Sequence, residues 1–110
     1  MADSANNLFV DLPVDTRREQ FATLLEGSGF KLERIVSHGQ ATPPGEWYDQ
    51  GHGEWVVLLQ GSAALLIEGD AEPRLLQPGD CLYLPAHQRH RVEWTKAGSA
   101  TIWLALHHWS

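Results

Sequence analysis

The sequence contains a single cysteine, Cys81, so no internal disulfide can staple it, and its Cys and His residues do not fall into zinc-finger spacing. Such sparing use of cysteine suits a reducing compartment. Long apolar runs are missing too. No stretch approaches the ~18 consecutive apolar residues of a membrane helix. The opening residues, MADSANNLFVDLP, lack the basic region and apolar run of a secretory signal. A cytoplasmic location with no membrane partner is therefore expected. Positive charge is scarce: eight Lys and Arg stand against fourteen Asp and Glu, a formal −6. Beyond Arg17-Arg18, Arg89 and Arg91 form the only close basic pair, so phosphate backbones are repelled and nucleic acid is not an expected partner. There is no internal repeat, no low-complexity segment, and no motif that sets a Ser or Cys beside a histidine base.

What remains is one domain of 110 residues, long enough to bury roughly two-thirds of its unfolded surface without staples. Its five tryptophans need a large core, a dimer interface or a ligand wall to cover them. Residues 1–29 read as an arm followed by a short helix. Thr16 and Glu19 have capping-box spacing, Phe21, Leu24 and Leu25 share a helical face, and Gly27 and Gly29 can end the element. From Phe30 to the end the texture is that of short strands between turns. Phe30–Val36 is followed by a Pro43-Pro44-Gly45 loop, then by the branched run Glu54–Gln60. Gly61-Ser62 turns into Ala63–Glu68, Gly69-Asp70 turns again, and Arg74–Leu76 leads to Pro78-Gly79, the central pair of a type II turn. Cys81–Leu84, His90–Thr95 and Ala100–His107 complete the series. Some seven strands at short spacing, with no helices between them, predict an antiparallel sandwich or barrel over residues 30–110.

Strand alternation gives the polar residues a direction. Glu54, Val56 and Leu58 face one way, and Trp55, Val57 and Leu59 the other. His90, Val92 and Trp94 alternate with Arg91, Glu93 and Thr95; the charged set should meet solvent, which turns His90 inward. An inward Glu54 among apolar neighbours needs a cation, a direct pair with His90, or a hydrogen bond from Tyr48 or Tyr83. His52 shares the Glu54 face on a regular strand, although its place between two glycines also suits an exposed turn.

Two stretches, Trp47-Tyr48-Asp49-Gln50-Gly51-His52-Gly53-Glu54 with the following strand and Gly61, and Gly79 to His90 with Pro85, resemble the two sequence motifs of the cupin family. The resemblance implies a cupin-type antiparallel β-barrel of jelly-roll form. Glu54 and Gly61 keep the spacing of the first motif; Gly79, Pro85 and His90 keep that of the second. Family members with the full set hold a divalent metal through three His and one Glu. Here Tyr48 and Gln50 stand where the His pair would be (Trp47 and Asp49 in the other register), His87 replaces the second motif's Gly, and Trp94 its Asn.

The resemblance thus implies a small-molecule ligand in the barrel and leaves a divalent metal (Mn, Fe, Ni, Co or Zn) open. Glu54 and His90 would be ligands, with His52, Gln50 or Asp49 completing the shell. Tyr48, Trp47, Tyr83, Trp94 and Trp103 are the expected cavity walls. A metal-free binding module, a metal-dependent dioxygenase or sugar isomerase or epimerase, and a structural dimer unit all fit, and a homodimer is expected. Cys81 reads as a small buried residue and His87 as a turn residue. His38 reads as a solvated strand end. Of His107 and His108, adjacent on the last strand, one can look inward, with a surface position as the default for both.

Overall fold

The fold is described from a computed structural model over residues 5–109; the first four residues of the expected arm lie outside the described range. Eight strands run in chain order: β1 Gln20–Glu26, β2 Phe30–Ser37, β3 Gly53–Gln60, β4 Ala63–Ile67, β5 Arg74–Leu76, β6 Cys81–Leu84, β7 His90–Thr95 and β8 Thr101–His108. A five-stranded antiparallel sheet has the order β1-β2-β8-β3-β6 and faces a three-stranded antiparallel sheet, β5-β4-β7. Together they form the all-β, cupin-type barrel that the sequence predicts. The core between the sheets is Val56, Leu58, Ala63, Leu65, Ile67, Leu76, Leu84 and Trp103, with Ile35, Leu82 and Val92 packed against it. No helix among the described residues is long and apolar enough to cross a membrane.

The turns follow from the residues that make them. Gln77 to Asp80 closes with the Asp80 N–H on the Gln77 carbonyl at 2.9 Å, and Gly79 takes the positive φ of 95° that a type II turn requires at its third position. At Gly61 two constraints coincide. Its φ is 88°, and a Cβ there would run into the Thr101 side chain, so no other residue fits. His87, where the family motif has a glycine, sits at φ 64°, a left-handed conformation that histidine tolerates better than branched residues do.

The short N-terminal helix is not formed. Gln20–Glu26 is instead an edge strand, paired with β2 from Gln20 opposite Val36 to Glu26 opposite Lys31, with a bulge between Thr23 and Leu25. A lone helix of this length is marginal in water, whereas the edge of β2 offers a ladder of backbone partners. The capping-box residues are diverted as well. Glu19 accepts a hydrogen bond from the Ser37 hydroxyl, and the Thr16 carbonyl accepts one from Gln40 Nε2 at 2.9 Å. Gly27, expected to end a helix, donates its N–H to the Phe30 carbonyl at 3.0 Å and helps close the β1–β2 hairpin. Residues 8–11 of the arm are held by Arg34, whose guanidinium donates to the Leu8, Val10 and Asp11 carbonyls at 3.0–3.3 Å.

Candidate functional site

Three inward rows cross the five-stranded sheet. Glu54 on β3 is opposite His107 on β8, which is opposite Lys31 on β2; one row on are Val56, Ala105 and Glu33; then come Leu58, Trp103 and Ile35. Period-two alternation turns all three β3 residues into the barrel, and Glu54, Val56 and Leu58 are each at least nine-tenths buried. From the opposite sheet, β7 brings in His90 and Val92 through the pairs Ile67–His90 and Leu65–Val92.

The loop before β3 is laced to the open side of β7. Tyr48 and His90 exchange backbone hydrogen bonds at 2.8 and 3.1 Å, and the Thr42 N–H donates to the Val92 carbonyl at 2.9 Å. Arg91 donates to the carbonyls of Thr42, Pro43 and Glu46 at 3.0–3.2 Å. These bonds set Tyr48 and Gln50 against the barrel interior.

A cavity of about 140 Å³ opens between the sheets. Val56, Leu65, Leu84, Val92, Ile35 and Trp103 form its apolar wall, and the partly buried Glu19 stands with half-exposed Phe21 and Tyr48 at its rim. Its polar groups are Glu19, Glu33, Glu54, Gln50, Tyr48, His90 and His107.

These groups fall on two sides. On one, Gln50 Nε2 donates to Glu54 Oε1 at 2.8 Å, and Glu54 Oε2 meets no protein donor among the described residues. His90 donates Nδ1–H to the Gln88 carbonyl at 2.9 Å and stacks on Tyr48, ring centres 5.4 Å apart. In the neutral ring Nε2 then carries a lone pair with no protein partner. Glu19 lies at the rim beside them. Burial holds its carboxyl above the ordinary glutamate value, opposed by the Ser37 hydrogen bond and reinforced by the nearby Glu33 carboxylate. Burial, followed by the carboxylates of Glu19, Glu54 and Glu46, likewise pushes the Tyr48 phenol up.

On the other side, the polar atoms bind one another. His107 Nε2–H donates to Glu33 Oε1 at 2.8 Å, and Lys31 Nζ lies 3.6 Å from Glu33 Oε2. His107 Nδ1 is 2.8 Å from His52 Nε2, which supplies the proton of that bond when His107 is neutral. His52 lies outside the cavity, against Trp109 in a second cleft of about 220 Å³ with Gly51, Gly53, Tyr83, Ala86 and His108. Burial, then His107 and His108, hold the His52 imidazole below its ordinary value while Glu54 pulls it up. A carboxylate–imidazole–imidazole chain thus runs from the cavity wall to the outer cleft.

The residues named from the sequence separate in space. Glu54, His90, Gln50, Tyr48 and Trp103 line the cavity. Asp49 does not: it is exposed and accepts a hydrogen bond from His87 Nδ1 at 2.9 Å. Trp47, expected in the wall, lies outside it under the guanidinium groups of Arg89 and Arg91, at 5.4 and 6.0 Å. Tyr83 is on the outer face, half exposed, with its hydroxyl 2.8 Å from His108 Nε2. Gly53 is packed so closely there that a Cβ would strike both of those side chains.

Trp94 is also outside, and a bulge explains it. Ala64 pairs with Trp94 and Leu65 with Val92, so Glu93 is an extra residue and the alternation flips after Val92. Thr95 is buried as a result and Trp94 is exposed. Cys81, expected to be buried, is exposed on β6 opposite Val57.

Glu19 and Glu33 are the polar cavity residues that sequence reasoning passed over, and His107 turns inward against its default surface position. For His107 a signal was present: adjacent histidines on one strand must face opposite ways, so one of the pair turns inward.

The side chains present do not fit a resident divalent ion of the family type. At the two positions of the family's His pair, Gln50 turns an N–H donor toward Glu54, and the Tyr48 phenol is pushed away from ionising. Among the described residues no three His, Cys, Asp or Glu converge as a metal cage. The Trp103 indole N–H, buried in the wall, has no partner.

Comparison with known proteins gives a coherent result. A family model described as "Cupin domain" matches residues 32–107. No curated protein matches the sequence. Among solved structures, a provisionally assigned mannose-6-phosphate isomerase from Ralstonia eutropha JMP134 is 52% identical, with a TM-score of 0.93 over 98% of this chain and 100% of that one. An RmlC-like cupin protein from Desulfovibrio desulfuricans is 21% identical with a TM-score of 0.75, covering 97% of each chain. A cupin superfamily protein from Desulfitobacterium hafniense DCB-2 is 16% identical with a TM-score of 0.72 over 90% and 84%. The last two share the fold.

Proposed function

The chain belongs to the cupin domain family, and on that footing we propose that its barrel binds a small organic molecule, without a metal, between the two sheets. The observation that carries this reading is the cavity of about 140 Å³ lined by Glu54 and His90, whose Oε2 and Nε2 have no protein partner among the described residues. A void of this size is close to those that hold a benzene molecule. The apolar wall supplies contact area, and a few convergent polar atoms supply orientation, the usual division of labour in a ligand pocket.

A second reading, a phosphosugar isomerase, is favoured by the 52% identical relative so assigned. The chemistry of this cavity opposes it. Among the described residues no Lys or Arg lines the wall to receive a phosphate, while three glutamates do.

The test is a fragment screen by NMR on isotopically labelled protein, with compounds of roughly benzene size. Shift changes centred on Glu54, His90, Tyr48 and Trp103 support the proposal; changes centred on the outer cleft at His52 and Trp109, or none, overturn it. Elemental analysis of untagged protein checks the metal-free part. Mn, Fe, Ni, Co and Zn should all be far below one per chain, and a stoichiometric ion that is lost on Glu54→Gln would contradict it.

A further inference from the structure

Resting on the cavity-binding reading, we propose that the ligand is an organic ammonium ion: a protonated amine carried on a body about the size of a benzene ring. The first ground is charge. Glu19, Glu33 and Glu54 all border the cavity, and among the described residues no Lys or Arg lines it. Glu33 has its compensation within the protein, from His107 and Lys31. Glu54 and Glu19 have only neutral donors, the Gln50 amide and the Ser37 hydroxyl, each reaching one carboxylate oxygen. A carboxylate removed from water without a cation is costly, and the upward displacement of the Glu19 carboxyl is a sign of that cost.

The second ground is independent of the acids. His90 is 5% exposed and lines the cavity, its ring is fixed by Gln88 and Tyr48, and its Nε2 has no partner among the described residues. Apart from the Trp103 indole N–H and the Tyr48 hydroxyl, the polar atoms left without a protein partner here are acceptors: Glu54 Oε2, Glu19 Oε1 and His90 Nε2. An ammonium group is their chemical complement, since it brings donors only and a positive charge. Tyr48 and Phe21 at the rim add aromatic faces to which a cation is attracted. The apolar wall beyond them suits a hydrocarbon body. A carboxylate or phosphate ligand would face two uncompensated glutamates and no cation.

A series of similar size tests this directly: benzylamine and benzyl alcohol are near-isosteres that differ in charge, and benzoate carries the opposite charge on the same ring. By calorimetry near neutral pH, benzylamine should bind at least about tenfold more tightly than benzyl alcohol, the usual gain of a charge-assisted hydrogen bond over a neutral one, and benzoate should not bind. Glu54→Gln should reduce that preference. Glu19→Gln, at the cavity rim, should reduce it in the same direction and serves if the first variant does not fold.

Equal or tighter binding of benzoate or mannose-6-phosphate, with shifts at His90 and Trp103, would overturn the ammonium proposal and leave the cavity-binding reading standing. Failure of all three ring compounds to bind at millimolar concentration would overturn both.

Discussion

The cavity has two histidine–carboxylate sides, and they handle their polar atoms differently. On the Glu33 side, the carboxylate, His107 and His52 bond to one another in a chain, with Lys31 at its end. On the Glu54 side, the carboxylate and His90 are each held by one neutral neighbour, Gln50 and the Gln88 carbonyl, and each keeps an atom free. The same residue types therefore serve two purposes. Where donors and acceptors are mutually satisfied they tie β2, β8 and the loop before β3 together. Where they are left open, they are available to something that is not protein.

The largest effect should come from breaking the satisfied side. Glu33→Ala removes a buried carboxylate from His107 and should cost about 3 kcal/mol of stability, as deletion of one partner of a buried pair commonly does. Urea unfolding measures this. A loss below about 1 kcal/mol would mean that the chain contributes little to holding the strands.

The open side should respond in the opposite way. Glu54→Gln keeps the shape and removes a charge that has no cationic partner, so stability should change by less than about 1 kcal/mol. Affinity for benzylamine should fall about tenfold, equivalent to about 1.4 kcal/mol. A large loss of stability with affinity unchanged would exchange the roles assigned to the two sides.

Acidity separates the sides again, with smaller effects. The His52 imidazole lies below its ordinary value in the folded chain, so its contribution is present above that value and is lost as pH falls through the lowered one. Thermal melts from pH 8 to pH 5 should show an acid-side decline that is smaller in His52→Asn. The Glu19 carboxyl is raised, so its contribution is full below the ordinary glutamate value and is lost as pH rises through the raised one. Glu19→Gln should therefore be slightly more stable than the parent at neutral pH, with the advantage vanishing on acidification. The same slope in both variants would contradict the difference between the sides.

Legibility in the sequence divides along similar lines. The core strands were readable because Glu54–Gln60 encloses an unbroken apolar run rich in branched residues and because Gly61 and Pro78-Gly79 mark turns that only such residues make well. The apolar run does not say which face is inward; burial of Glu54 beside an exposed Trp55 settles it. Strand β2 was legible as a strand and not as a face: Lys31, Glu33 and Arg34 put charge on both sides, so Glu33 could not be assigned to the interior without its partner on β8. Trp94 was misplaced by one extra residue, Glu93, because a bulge leaves no reliable mark in a single sequence. The N-terminal segment was misread for a different reason. Thr16, Glu19, Phe21 and Leu25 are locally consistent with a helix, and the strand is chosen by the open edge of β2, which lies farther along the chain.

The difference between the two sides can be watched in one experiment. Protein labelled with nitrogen-15 at histidine is titrated with benzylamine near neutral pH, and the imidazole signals of His90, His107 and His52 are followed. If the Glu54 side is the binding side, the His90 Nε2 signal moves through the titration and saturates, while those of His107 and His52 stay where they were. Movement of His107 and His52 with His90 unchanged would place the ligand against the chain that the protein already satisfies, and would refute the division of the cavity drawn from its hydrogen bonds.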